Sequence, residues 1–162
     1  MSSAQIATYN QLIENAADFM NVSSEDANIP IFVRLAESQF ERVLRVREMQ
    51  KRVKYRIGET DALLPTDFLQ LESLRLSDEG KRLDSVSIDN LEDRGDRTAT
   101  PKVFSVWGET LVFWPMPDTA VPASMRYYAR IPALSPSNPI NPVLTNYPDI
   151  YLYGTLMNAE GY

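Results

Sequence analysis

The side chains that most often carry out catalysis are missing from this chain. Its 162 residues contain no histidine and no cysteine. Without histidine, the most common general base and metal ligand is lost, together with every serine–histidine relay. Without cysteine, disulfides, thiolate metal sites and a cysteine nucleophile are excluded. Any chemistry would therefore have to come from carboxylates, lysine or tyrosine.

Carboxylates occur in two adjacent pairs, Asp78-Glu79 and Glu92-Asp93. Glycosidase-type catalysis needs two carboxyl groups about 5–9.5 Å apart across a cleft, and these pairs lie in turn-like segments instead. The run from Asp89 to Asp93 lacks the spacing of a calcium loop. The six glycines are isolated, so no phosphate-binding loop or dinucleotide fingerprint is present. We expect no catalytic residue, no metal site and no cofactor.

Positive charge is concentrated in one segment. From Arg34 to Arg56 there are eight basic and three acidic residues, whereas the rest of the chain has 8 basic and 19 acidic residues. A basic segment on an acidic body can pair head-to-tail with copies of itself or contact nucleic acid, and a solvated helix face is the alternative. The pI near 4.7 disfavours a dedicated DNA-binding module. We predict salt bridges with neighbouring subunits or partners at Arg42, Arg45, Lys51, Arg52 and Lys54.

Helical periodicity dominates the first third of the chain. Residues 4–21 repeat apolar side chains at helical spacing, which predicts a first helix. Pro30 suits the first turn of a second helix, which we expect to continue to about Tyr55. Residues 1–62 are therefore predicted to form an antiparallel helical hairpin.

Residues 63–131 are predicted to form a small β-region. Gly108-Glu109 suits a two-residue turn in a hairpin over residues 103–114, and a third strand is expected over 125–130. The predicted register pairs Val106 with Leu111 and Phe104 with Phe113. The opposite face, which includes Trp107 and Trp114, is also largely apolar, so a helix or a neighbouring subunit should cover it.

Prolines separate this region from the end of the chain. Five prolines within residues 131–148 predict an extended arm (132–148) that contains neither a helix nor a central strand. Residues 149–162 are predicted to form a C-terminal helix that packs on the helical region. Its side chains and a preceding tyrosine are candidates for buried contact within the subunit or with a partner: Tyr147, Ile150, Tyr151, Leu152, Tyr153 and Leu156. The predicted class is α+β.

The chain shows no signal for a membrane or for export. No apolar run approaches the roughly 18 residues that a membrane span needs. The first residues have neither a basic nor an apolar region, so no signal peptide is expected.

Four groups of residues follow one another along nearly the whole chain: 29–37 (IPIFVRLAE), 64–71 (LPTDFLQL), 108–115 (GETLVFWP), and 127–132 (YYARIP) with 146–154 (NYPDIYLYG). In this order they resemble tailed-bacteriophage head–tail adaptor (connector) proteins. The resemblance implies a non-enzymatic virion protein of the neck, assembled in the host cytoplasm. It implies a ring, expected to be a dodecamer, that extends the DNA channel beneath the portal.

The resemblance also implies partners. These are the portal protein, tail, nozzle or tail-fibre proteins, and other copies of the chain. DNA is expected only as non-specific cargo that passes through the ring during genome ejection. Two alternatives remain open: a tail-completion or other neck protein, which would form a six-fold ring or bind the tail tube, and a small enzyme or nucleic-acid-binding module.

Overall fold

The computed structural model describes residues 6–58, 62–77, 80–95 and 97–160. The chain divides into two compact units. Unit 1 comprises Met1–Met49 and Arg130–Tyr162, and unit 2 comprises Gln50–Ala129. Among the described residues, no helix has both the length and the apolar character that crossing a membrane requires.

Helices belong mainly to unit 1 and strands to unit 2. In chain order the elements are α1 (Tyr9–Met20), α2 (Ile29–Val43), β1 (Gln50–Ile57), β2 (Ala62–Leu63), β3 (Phe68–Leu76), β4 (Asp84–Ser85), α3 (Ile88–Glu92), β5 (Val103–Trp107), β6 (Thr110–Trp114), β7 (Val121–Ala129), α4 (Pro142–Asn146) and α5 (Pro148–Asn158). A short 3-10 turn, Arg47–Met49, precedes β1.

Unit 1 is built on helix–helix packing, in which α5 contacts both α1 and α2. The closest approach uses a glycine: a Cβ atom placed on Gly154 would lie 2.6 Å from the Phe40 ring and 3.3 Å from Ala36. The absence of a side chain there lets α5 approach α2 closely. The Phe40 ring in turn meets Tyr151 edge-on at 5.1 Å between centroids.

Unit 2 contains two sheets that share one core. The first sheet is antiparallel with the strand order β1-β7-β3, and the second has the order β2-β6-β5-β4. Leu74 and Met125 of the first sheet and Leu111 and Phe113 of the second belong to the same buried cluster. One face of the first sheet is therefore covered, and its other face is turned away from this core.

The prediction of a second helix reaching Tyr55 is wrong, and with it the prediction of a helical hairpin over residues 1–62. Helix α2 ends at Val43, and the basic residues that follow lie mostly on strand β1. Val53, Tyr55 and Ile57 alternate with charged residues, which is the two-residue period of a strand. Their partners on β7 lie about 70 positions later in the chain. The pattern within residues 50–57 alone therefore did not reveal this strand pairing.

The proline-rich stretch was predicted to lack a helix, and this is also wrong. Helix α4 occupies Pro142–Asn146. Pro142 takes the first helical position, where a missing N–H costs nothing, and the Asn141 side chain accepts a hydrogen bond from the Leu144 N–H at 2.8 Å. The spacing of the prolines therefore leaves room for one short capped helix.

The α+β class and the antiparallel sheet are confirmed, although strands make up more of the chain than predicted. The hairpin has the predicted register, with Val106 opposite Leu111 and Phe104 opposite Phe113. Gly108 adopts a φ of 59°, which suits a glycine in this turn. The first helix begins at Tyr9 rather than at residue 4, and residues 4 and 5 lie outside the described part of the chain.

Candidate interaction surfaces

The outward face of the first sheet carries five cations, which together we call the basic face: Arg52, Lys54, Arg56, Arg75 and Arg126. Side chains alternate between the two faces of a strand, so the positions between the core residues of β1, β3 and β7 all point outward. Arg52 on β1 lies directly opposite Arg126 on β7, and Arg126 lies opposite Ser73 on β3. Like charges directly opposite each other destabilise a sheet.

Serine side chains hold two of these arginines in position. Arg52 Nε donates to Ser124 Oγ at 2.8 Å, and Arg126 Nε donates to Ser73 Oγ at 3.2 Å. Guanidinium groups anchored through Nε keep their Nη groups available for an anion. The arginines line a groove of about 430 Å³ together with serines and other residues.

Little negative charge offsets the basic face within the described residues. One carboxylate, Glu72, lies 3.8 Å from Arg126. Lys51 points to the other face of the sheet, where its ammonium lies 2.5 Å from Asp67. Burial opposes ionisation of Asp67, but hydrogen bonds from Lys51 and Tyr127 outweigh it and lower the pKa of this carboxyl. Burial and the Asp67 carboxylate raise the pKa of Tyr127 to about 12.

Helix α5 is apolar on the side that packs on α1 and α2, and it also carries exposed apolar side chains on its solvent-facing side. Tyr151 and Leu152 are buried in unit 1. Tyr153 and Met157, four residues apart and therefore on one side of the helix, are 60% and 72% exposed. Ile150 and Leu156 are half-buried. The predicted contact residues of this helix thus divide between the core of unit 1 and its surface.

A buried polar network connects α5 to the proline-rich segment. Glu37 Oε1 accepts hydrogen bonds from the Leu134 N–H at 2.8 Å and from the Tyr151 hydroxyl at 3.2 Å. Asn141 Nδ2 donates to the Tyr151 hydroxyl oxygen and to the Pro132 carbonyl. Burial raises the pKa of Glu37, and its hydrogen bonds oppose this only in part. The segment is therefore fixed to unit 1 at several points.

The two tryptophans of the hairpin have different surroundings. Trp107, next to the turn, is 61% exposed. The Trp114 indole N–H donates to the Gly95 carbonyl at 2.9 Å, and the Arg94 guanidinium lies 5.0 Å from its ring centroid. Trp107 is therefore the one of the two that is available to a partner.

The remaining predicted contact residues lie in unit 1. Arg42 donates to the carbonyl and hydroxyl of Ser38, within its own helix. Arg45 donates to the carbonyls of Glu41 and Leu44. The Tyr147 hydroxyl lies 3.5 Å from both carboxylate oxygens of Glu48. These residues belong to a different unit from Arg52 and Lys54, so the predicted basic segment is two separate groups.

Two arginines of the basic face, Arg75 and Arg126, were missed by the sequence analysis. The signal that could have found them is alternation: Arg75 lies between buried Leu74 and Leu76, and Ser124 and Arg126 alternate with buried Ala123, Met125 and Tyr127. The alternation places these arginines on one common face only once the three strands, which are distant in sequence, are known to pair.

An exposed acidic patch lies on helix α3, which packs on the second sheet. It consists of Asp89, Glu92 and Asp93, which are three or four positions apart and therefore lie on one side of the helix. Within the described part of the chain, none of the three forms an ion pair. In the same part, no three acidic residues are placed so that they could hold a metal ion.

The chain matches a known protein family over nearly its whole length. A family model described as SU10 adaptor protein matches residues 7–162. No curated protein matches the chain.

Proposed function

The chain belongs to the SU10 adaptor protein family, a family of phage head–tail adaptors, and on that premise we propose that it is a ring subunit of the neck that joins the portal to tail or nozzle proteins. Membership makes it a structural adaptor protein of a phage. The proposal goes further: the chain forms a dodecameric ring, the ring lies in the neck, and it contributes to the DNA channel.

One observation carries this proposal: α5 has an apolar surface that its own subunit leaves exposed. A helix that is hydrophobic all round is normally buried on all sides. Tyr153 and Met157 are exposed in the isolated chain, while Tyr151 and Leu152 on the other side are buried. Tyrosine and methionine are enriched in protein–protein interfaces. The outward side of α5 therefore suits contact with another protein, for which the portal is our candidate.

The rest of the described surface supports an assembling protein. Trp107 is exposed at the hairpin turn, and the basic face is largely unpaired. A ring needs a heterologous interface, in which two different patches of one subunit meet. A chain with separate apolar and charged patches provides several surfaces for neighbours above, below and beside it.

The test is electron microscopy of the purified protein mixed with its portal. We expect a ring of this protein on the portal, and counting its copies separates a dodecamer from the six-fold ring of a tail-completion protein. The double variant Tyr153→Glu/Met157→Glu should fold normally yet fail to bind the portal, because it places two charges in an apolar contact.

The matched control is Leu63→Glu, which introduces a charge at another exposed apolar side chain, 72% exposed, in unit 2. This variant should bind the portal like the unaltered protein. If the unaltered protein stays unattached to portal and tail proteins alike, the proposed function is wrong. If the α5 variant binds as well as the control, α5 is not the portal contact.

A further inference from the structure

We propose that the basic face of the first sheet is the docking site for the acidic patch of a second copy of this chain. The inference rests on the proposed ring and names the surfaces that would meet between neighbouring subunits. In this arrangement Asp89, Glu92 and Asp93 of one subunit lie against the arginines of the next.

The first argument is that the basic face is unfavourable without a ligand. Arg52 and Arg126 stand directly opposite each other on paired strands, and Lys54 and Arg56 continue the row along β1. Such repulsion lowers the stability of the subunit, and the one ion pair that the described residues form on this face, Glu72 with Arg126, is long at 3.8 Å. A partner that brings carboxylates removes this repulsion.

The second argument is that the arginines are prepared to bind carboxylates. Two of them are anchored through Nε to serines, which fixes the guanidinium plane; Nη2 of Arg126 lies 3.8 Å from Glu72, and the Nη groups of Arg52 are in no ion pair among the described residues. A guanidinium fork matches a carboxylate in two parallel hydrogen bonds. The groove between these side chains measures about 430 Å³, enough to admit several carboxylate side chains.

The third argument is that complementary charge is present in the same unit, on helix α3, and that none of the residues of α3 lines the groove. Helix α3 packs on β5 of the second sheet, and that sheet shares the core with the inner face of the first. The basic face is on the other side of the first sheet. Among the described residues no ion pair joins the two patches. Two different complementary patches on one subunit produce a head-to-tail contact, which closes into a ring.

Nucleic acid is the competing occupant, and the charge of the molecule disfavours it. The chain has a net charge of −6. A net negative charge repels DNA phosphates at long range. The basic face presents arginine and serine without an exposed stacking aromatic in its groove, which a single-strand binder would use.

The experiment exchanges the charges of the two surfaces in full-length protein. The groove variant carries Arg52→Glu and Arg75→Glu, and the patch variant carries Glu92→Lys and Asp93→Lys. Arg126 stays beside Glu72, and Asp89 stays in the first turn of α3, where an anion is favourable. Circular dichroism verifies that both variants fold.

Self-association is then measured by sedimentation velocity at low and at high salt. For each variant alone, we expect the dissociation constant to rise at least ~10-fold, because like charges now meet at the contact. An equimolar mixture should return to within about threefold of the unaltered protein, since each variant offers the surface that the other has lost. A charge-matched control, Arg34→Glu/Arg47→Glu in unit 1, should associate normally.

Several results would overturn the inference. One is a mixture that associates no better than either variant alone; another is the absence of self-association by the unaltered protein at low salt. A third is loss of binding to short duplex DNA by the groove variant without recovery of association in the mixture, which would make the groove a phosphate-binding surface. None of these touches the proposed function, which stands or falls on binding to the portal.

Discussion

At the scale of single residues, Arg52 and Arg126 place two positive charges directly across a strand pair. Arg52→Glu replaces this repulsion with an opposite-charge pair. We expect the variant to stabilise unit 2 of the isolated subunit by about 0.2–1 kcal/mol. Both tryptophans of the chain lie in unit 2, so their fluorescence during chemical denaturation follows the unfolding of that unit.

Lys54→Glu is the control for this prediction. It makes the same charge change on the same face and strand, but the residue opposite Lys54 is Ser124. The control should leave the free energy of unfolding of unit 2 nearly unchanged. An equal gain in both variants would show that general charge, rather than the Arg52–Arg126 pair, sets the stability.

Glu37 predicts a dependence of stability on pH. Burial raises its pKa, so the folded chain binds this proton more tightly than the unfolded chain does. The contribution of Glu37 to stability is therefore complete below the ordinary pKa of a glutamate and is lost as the pH rises through the raised value. The glutamine side chain in Glu37→Gln does not titrate, so this variant does not lose stability at position 37 as the pH rises. Its unfolding temperature, relative to the unaltered protein, should improve as the pH rises from about 4 to about 7.

The measurement is thermal unfolding followed by helical circular dichroism, a signal that comes mainly from unit 1. Glu14→Gln, at an exposed glutamate of α1, is the control and should keep a constant difference from the unaltered protein. A constant difference for Glu37→Gln over the same pH range would contradict the prediction.

At the scale of elements, the contact between α2 and α5 depends on the absence of a side chain at Gly154. Gly154→Ala should destabilise unit 1 by about 1–2 kcal/mol, because the cost of displacing a packed ring exceeds the gain in helix propensity. The Cβ atom would lie 2.6 Å from the Phe40 ring, which Tyr151 holds edge-on. Helical circular dichroism during denaturation measures the loss.

Phe40→Leu provides the second half of a double-mutant cycle. On its own it leaves a cavity and costs stability. Combined with Gly154→Ala, the shorter side chain makes room for the new methyl group, so the double variant should be more stable than the sum of the two losses indicates. Additive losses would show that the methyl group is accommodated in some other way.

The sequence predicted correctly those elements whose interacting residues lie close together in the chain. The β5–β6 hairpin was predicted with its register, because Gly108 and the alternating residues on both sides lie within a dozen positions. Strand β1 was predicted as a helix, because its apolar residues contact β7 about 70 positions later and its charges resembled a solvated helix face. The basic face was only partly predicted for the same reason, since Arg75 and Arg126 come from other strands.

At the scale of the whole molecule, the buried core cluster of unit 2 consists, among the described residues, of residues of that unit. Each buried member of that cluster lies between Gln50 and Ala129, and so do the partly buried residues that pack on it. We therefore expect residues 50–129, expressed alone, to fold and to show the same tryptophan fluorescence transition as the complete chain, within a few degrees.

Unit 1 cannot be expressed as one continuous fragment in the same way, because it is made from the two ends of the chain. Its helices α1 and α2 pack on α5, which comes more than 100 residues later. A fragment of residues 50–129 that is unfolded in solution would show that unit 2 depends on unit 1. A folded fragment would carry the basic face and the acidic patch together, so that both could be studied in a smaller protein.

The strand order of the first sheet leaves β1 at an edge, with Lys51, Arg52, Lys54 and Arg56 along it. Open strand edges are templates on which chains stack into fibres, and lysine and arginine along an edge discourage such stacking. Copies of the chain that have not yet assembled are therefore expected to resist stacking through this edge. The cations that we propose as a docking site for one neighbour also disfavour unspecific pairing of β1 with other strands.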